Sequence, residues 1–158
     1  MSTDPIPRVL VVDDMPLVRQ VFGRFLTMSG MTVSFAVDGH DGLTAARTSL
    51  PDLIVSDLEM PRMDGVAFCA AIRADETTRQ VPIVVVTASG GAQARAALDA
   101  GCDAVLPKPC SRELLVATIR DLLARSAQAR AEAASMERPE PARVATATTP
   151  LPLPDEPR

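Results

Sequence analysis

The stretch "DLIVSDLEMPRMDG", Asp52 to Gly65, decides how the rest of the chain is read. Leu53-Ile54-Val55 is an apolar run of strand character, yet two residues on stands Asp57, a charge that burial excludes unless something compensates it. Pro61 and Gly65 then mark a turn. A carboxylate at the tip of a core strand needs a partner, and the other segments supply one.

Working outward, similar apolar runs recur at Val9-Leu10-Val11-Val12, Thr32-Val33-Ser34-Phe35 and Ile83-Val84-Val85-Val86, with a weaker one at Ala104-Val105-Leu106. Between them lie segments with helical spacing, such as Val18, Val21, Phe22, Phe25 and Leu26, or Leu115, Ile119, Leu122 and Leu123. Pro16 suits the first turn of the first helix with Asp14 as its cap, and Ser111 is placed to cap the last. Gly30 and Gly101 stand just past helical segments, where a left-handed residue is wanted. Strands apolar at every position are covered on both faces, as in a parallel sheet between helices. Five strand–helix units therefore predict a small doubly wound α/β domain with helices on both faces. The domain is expected over residues 7–125, after a short extension at 1–6. From 126 to 158 the chain is rich in Ala and Pro; it opens with helix formers, so the last helix is expected to run on a little before a disordered tail. No second folded domain is expected.

Composition narrows the function. A net charge of -4 gives no support to nucleic-acid binding through a basic face. No apolar stretch approaches a membrane span, and "MSTDPIPRVL" lacks the basic and apolar regions of a signal peptide. Cys69, Cys102 and Cys110 form no metal-type spacing, and an odd count suits a reducing cytosol, so a cytoplasmic protein is expected. Cys69 reads as a small apolar residue on a helix face and Cys110 as a loop residue after Pro109. The single histidine, His40, reads as a surface residue in the turn after the second strand.

The polar residues fall at strand ends. Asp13 and Asp14 follow the first strand and Asp57 the third; Thr87 ends the fourth, and Lys108 follows the fifth between Pro107 and Pro109. In a parallel sheet all carboxyl ends share one edge, where open α/β sheets bind ligands. Three carboxylates crowded there repel one another and ask for a cation, and oxygen-only ligands favour a hard ion such as Mg²⁺. A carboxylate is also a nucleophile toward phosphorus, with a lysine to neutralise the transferring group and a threonine hydroxyl to donate to it. Taken singly, each aspartate reads equally well as a helix cap or turn acid. The ordered set does not.

"VVDD", "SDLEMPRMDG", "VVVTAS" and "PKP", in this order and spacing, resemble the receiver domain of bacterial two-component response regulators. The resemblance implies a flavodoxin-like sheet of order 2-1-3-4-5. It makes Asp57 the phospho-acceptor from a histidine kinase or histidine phosphotransfer protein. It makes Asp13 and Asp14 the acidic pocket for Mg²⁺, with Asp14 favoured as direct ligand, Asp57 and the Glu59 backbone carbonyl completing the set. Thr87 and Lys108 would contact the phosphoryl group, while Met60, Pro61 and Gly65 shape the loop. Glu59 and Ser89 would flank the group and affect its hydrolysis.

One position departs from the family pattern: Val105 stands where many receivers carry Tyr or Phe, and the chain has no tyrosine. The Gly- and Ala-rich "SGGAQARAALDAG" is the expected alternative element to shift. The resulting expectation is a stand-alone response regulator that signals by changed protein contacts or onward phosphorelay to a downstream protein. It would not be an enzyme beyond its own phosphorylation and slow dephosphorylation. Two rivals stand beside it: a receiver-like constitutive binding module with vestigial phosphorylation, and a phosphatase or phosphotransferase using an aspartyl intermediate.

Overall fold

The computed structural model describes residues 4–137. Strands Arg8–Val12 (β1), Thr32–Ala36 (β2), Leu53–Ser56 (β3), Ile83–Thr87 (β4) and Ala104–Pro107 (β5) alternate with five helices. These are Pro16–Met28 (α1), Gly39–Ser49 (α2), Gly65–Ala74 (α3), Ala92–Ala100 (α4) and Arg112–Glu137 (α5). The strands form one parallel sheet in the order β2-β1-β3-β4-β5, as the sequence resemblance implied.

Side-chain alternation along the strands builds two cores. Leu10, Val12, Ile54, Ile83 and Val85 face one side and pack with Ala46 of α2, Phe68, Cys69 and Ile72 of α3 and Ala97 of α4. Val9, Val11, Leu53, Val55, Val84 and Val86 face the other, against Phe22 and Leu26 of α1 and Leu115, Ile119 and Leu122 of α5. The central strands are thus covered on both faces, as expected. The edges differ: most of β2 is accessible, with Phe35 48% exposed, because an edge strand lies at the rim of both helical layers.

Helix ends follow the sequence in part. After α1, the Gly30 N–H bonds the Thr27 carbonyl and the Met31 N–H bonds that of Leu26, with Gly30 at φ 83°. Gly101, at φ 112°, closes α4 in the same way. Ser111 Oγ accepts the Leu114 N–H at 3.1 Å, as a cap should. Asp14 does not cap α1. Met15 takes the cap position without a side-chain bond, and it is Asp13 Oδ1 that accepts the Met15 N–H at 2.9 Å. His40 lies in the first turn of α2 and not in a preceding turn, because Asp38 already caps that helix by accepting the Asp41 N–H. The largest revision is at the far end: α5 continues to Glu137, so residues 126–137 of the expected tail are helical. The rest of that tail lies outside the described residues.

At the sheet edge opposite the strand carboxyl ends, Arg73 of α3 ties several segments together. Its guanidinium donates to the carbonyls of Gly101 (2.9 Å), Arg79 (2.9 Å) and Val81 (2.6 Å) and pairs with Asp103 at 3.0 Å. Asp103 in turn accepts the Ile83 N–H, 2.8 Å away, at the start of β4. Arg73→Ala is expected to lower the free energy of unfolding by about 2–4 kcal/mol, since it strands the part-buried Gly101 and Val81 carbonyls and breaks two more exposed contacts at once. Urea unfolding measures this; a change within about 0.5 kcal/mol, typical of a neutral surface substitution, would contradict the role.

Candidate functional site

The site grows out of strand register. β1 and β3 pair with Val12 opposite Ser56, so Asp13 and Asp57 are the next residues on adjacent strands. Both still keep ladder bonds: Asp13 N–H to the Ala36 carbonyl at 3.1 Å and Asp57 N–H to that of Val12 at 3.0 Å. The order β2-β1-β3 reverses direction between β1 and β3, so the two carboxylates flank the switch point where such sheets open a crevice. On the other side β4 and β5 pair with Thr87 opposite Pro107, and the Lys108 N–H extends that ladder by bonding the Thr87 carbonyl at 2.9 Å.

Asp13, Asp14 and Asp57 each offer a carboxylate oxygen, and these lie within 4.8 Å of one another. Asp13 and Asp57 are buried; Asp14 is exposed at the mouth. Lys108 answers their charge, with Nζ 3.0 Å from Asp13 Oδ2 and 3.4 Å from Asp57 Oδ2. Asp57 Oδ1 accepts the Leu58 N–H at 2.8 Å. Burial nevertheless pushes the Asp57 carboxyl above its ordinary pKa; Lys108 pulls against this, Asp13 adds to it, and the Leu58 and Glu59 N–H groups oppose it. A buried carboxylate still short of positive charge, in a cluster with oxygen donors only, fits a small hard cation.

Thr87 is buried at the same edge, but its hydroxyl accepts the Ser89 N–H at 3.0 Å. Ser89 Oγ in turn donates to the Glu59 carboxylate, linking the loops after β3 and β4 across the top of the pocket. Glu59 and Ser89, read from sequence as separate neighbours of the site, are therefore partners. Val105 is partly buried and packs on the core beneath α2, α3 and α4. Among the three cysteines, Cys69 and Cys102 are buried, with burial raising their thiols to about 12 and about 11; Cys110 lies in the loop after Pro109 and is likewise raised by burial.

Three features of the site had no clear signal in the sequence. The Lys108–Pro109 peptide is cis. Arg19 of α1 donates to the Asp13 carbonyl at 2.7 Å, holding the acidic turn from below. The Asp13–Met15 bond is an Asx-type turn, which "DDMP" permits but does not dictate.

Known proteins share the family and the fold. Residues 9–120 match the family described as the response regulator receiver domain. The DNA-binding dual master transcriptional regulator RpaA of Synechocystis sp. is 38% identical over 122 residues, which are 77% of this chain and 51% of that protein. The chain thus spans about half the length of the curated relatives it matches. Vibrio cholerae chemotaxis protein CheY4 superposes with TM-score 0.71 at 30% identity, over 75% of this chain and 99% of that one. The receiver domain of Pseudomonas aeruginosa sensor histidine kinase PA1611, solved with magnesium in its active-site cleft, gives TM-score 0.72 at 30% identity, covering 76% and 99%.

Proposed function

The chain belongs to the response regulator receiver domain family, and from that premise we propose that Asp57 accepts a phosphoryl group from a histidine kinase or histidine phosphotransfer protein. Receiver domains are phospho-acceptor signalling modules rather than enzymes in the ordinary sense. The observation that carries the assignment is the cluster of Asp13, Asp14 and Asp57 oxygens within 4.8 Å, countered by one ammonium 3.0 and 3.4 Å away. In the transfer an Asp57 oxygen forms a bond to phosphorus as the bond from phosphorus to the histidine nitrogen breaks, and that nitrogen keeps the electron pair.

Each residue then has a physical task. Asp13 and Asp14, with Asp57 and the Glu59 carbonyl, would hold Mg²⁺, a reading that the magnesium in the PA1611 receiver supports. When bound, the ion neutralises the phosphoryl oxygens. Lys108 is poised to follow the charge from carboxylate to phosphoryl group. Thr87 couples the site to the surface: its hydroxyl accepts the Ser89 N–H and keeps its own proton to donate, so turning toward a phosphoryl oxygen would pull on the Ser89 bond. That would loosen the loop leading into α4, which has Gly91 at φ 62°, no side-chain cap and Ala97 as its buried residue. Such an element can shift without an aromatic at position 105.

Output through changed protein contacts, or relay to another histidine, is supported by the match to CheY4 over nearly its whole length. The acidic chain itself supports protein rather than nucleic-acid partners for this region. No described helix is long and apolar enough to cross a membrane, and we place the activity in the cytoplasm, where kinases present phosphohistidine.

The test is intact mass after incubation with acetyl phosphate. One phosphoryl group is expected with Mg²⁺ and none after chelation. If no adduct forms and beryllofluoride also fails to bind, the constitutive binding module replaces the switch.

A further inference from the structure

Between Asp57 and α3 the chain makes a loop that, beyond the Leu58–Asp57 and Glu59–Ser89 bonds at its near end, is anchored at two further points of different kinds. The anchor at Gly65 is packing. An added Cβ there would stand 2.3 Å from the Asp57 carbonyl oxygen and 2.7 Å from Leu58 Cα, and the Gly65 N–H bonds the Leu58 carbonyl at 2.8 Å. The anchor at Arg62 is electrostatic. Arg62 has φ 68°, a left-handed region that is unfavourable for a non-glycine residue. The Met63 N–H bonds back to the Pro61 carbonyl at 2.8 Å, and positive φ with this short bond makes the strained form of γ-turn.

Asp38 is what holds the turn. It lies just beyond β2, on the same sheet edge as Asp13, and is 3% exposed. One of its oxygens accepts the Asp41 N–H at 2.8 Å and caps α2; the other is ion-paired with the Arg62 guanidinium. Beside them Met63 is pressed against Gly39, where an added Cβ would meet Met63 Cγ at 2.7 Å and the Met63 carbonyl at 2.8 Å. Arg62 itself is far from buried, at 68% side-chain exposure, so hydrophobic burial does not explain its strained backbone.

We propose that Arg62 is a positioning residue for the acceptor site: its ion pair with Asp38 holds the turn at 61–63 and so fixes the loop that offers the Glu59 carbonyl to the cation. This rests on the pocket reading above. The carboxylates of Asp13 and Asp57 are set by strand ladders and do not need Arg62. A loop carbonyl does, because Mg²⁺ demands near-octahedral geometry and tolerates little wandering of a ligand. Losing Arg62 therefore weakens cation binding without removing the nucleophile. The Mg²⁺ dissociation constant rises about tenfold, as for loss of an outer partner of a metal ligand. The phosphorylation rate at saturating Mg²⁺ stays near that of the wild type.

The experiment is calorimetric titration of Mg²⁺ alone into the wild type, Arg62→Ala, Arg62→Lys, Asp38→Asn and the Arg62→Ala/Asp38→Asn pair, with acetyl phosphate rates at saturating Mg²⁺. Asp38→Asn keeps an acceptor for the α2 cap and should reproduce the Arg62→Ala loss. Arg62→Lys should restore part of it, and the double variant should bind no more weakly than either single one. If Arg62→Ala does not fold, Arg62→Lys and Asp38→Asn carry the comparison. An unchanged Mg²⁺ constant in the folded variants overturns the positioning role and leaves the pocket reading intact. A wild type that binds no Mg²⁺ overturns the pocket reading, and this role with it.

Discussion

The Asp57→Asn variant is expected to take up no phosphoryl group at any Mg²⁺ or donor concentration, and yet to unfold at a higher temperature than the wild type when divalent ions are chelated. The first half follows from removing the nucleophilic oxygen while Asp13, Asp14 and Lys108 remain. The second follows from burial. The Asp57 carboxyl is raised above its ordinary pKa chiefly by desolvation, against the pull of Lys108 and with Asp13 adding repulsion. A carboxyl raised in the folded state favours folding while protonated. That contribution is full below the unfolded-state value and is lost as pH rises through the folded one. At neutral pH the ionised Asp57 therefore destabilises the fold, and an amide of the same shape relieves it while Lys108 keeps Asp13 at 3.0 Å. The gain should be a few degrees in Tm at pH 7 and should shrink as pH falls toward 4. Thermal unfolding in chelator at both pH values checks it. A lower Tm for Asp57→Asn at pH 7 would contradict the account of the pocket as charge-frustrated.

Lys108→Ala has the second largest expected effect, and it separates binding from transfer. The ammonium lies between Asp13 and Asp57 and competes with any cation for both carboxylates. Its removal should leave Mg²⁺ binding as tight as in the wild type or tighter. Phosphoryl transfer should instead fall about 100- to 1,000-fold, the usual loss when one preorganised electrostatic contact to a transferring group is deleted. Lys108→Arg should recover only part of the rate, because a planar fork cannot occupy the place of a compact ammonium. Single-turnover rates at saturating Mg²⁺ measure the loss. An unchanged rate in Lys108→Ala would remove Lys108 from the chemistry.

The fold was legible because its signal is short-range. Runs such as Ile83–Val86, short and apolar at every position, read as strands covered on both faces, and polar residues that end them are carried by the topology to one edge. That brought Asp13, Asp14, Asp57 and Lys108 together on paper, as they are in space. What sequence did not show depends on long-range geometry. Whether Asp13 or Asp14 turns toward the α1 backbone is decided by the path out of β1, and adjacent aspartates look alike in sequence. Arg62 reaches Asp38 across a separation of 24 residues, and Arg19 finds a backbone carbonyl, which leaves no compositional trace. The extent of α5 is hard to read for a different reason. Ala, Arg, Gln, Glu and Met between 126 and Glu137 are good helix formers, but the apolar spacing used to recognise helices stops at Leu123.

The most direct measurement is to locate the adduct. The protein, phosphorylated with acetyl phosphate and Mg²⁺, is reduced with borohydride, which converts an aspartyl phosphate to homoserine, and its peptides are sequenced by tandem mass spectrometry. The account predicts homoserine at position 57 and aspartate at 13 and 14. Homoserine at 13 or 14, or an intact aspartate at 57 in protein that carries the added phosphoryl mass, would contradict it.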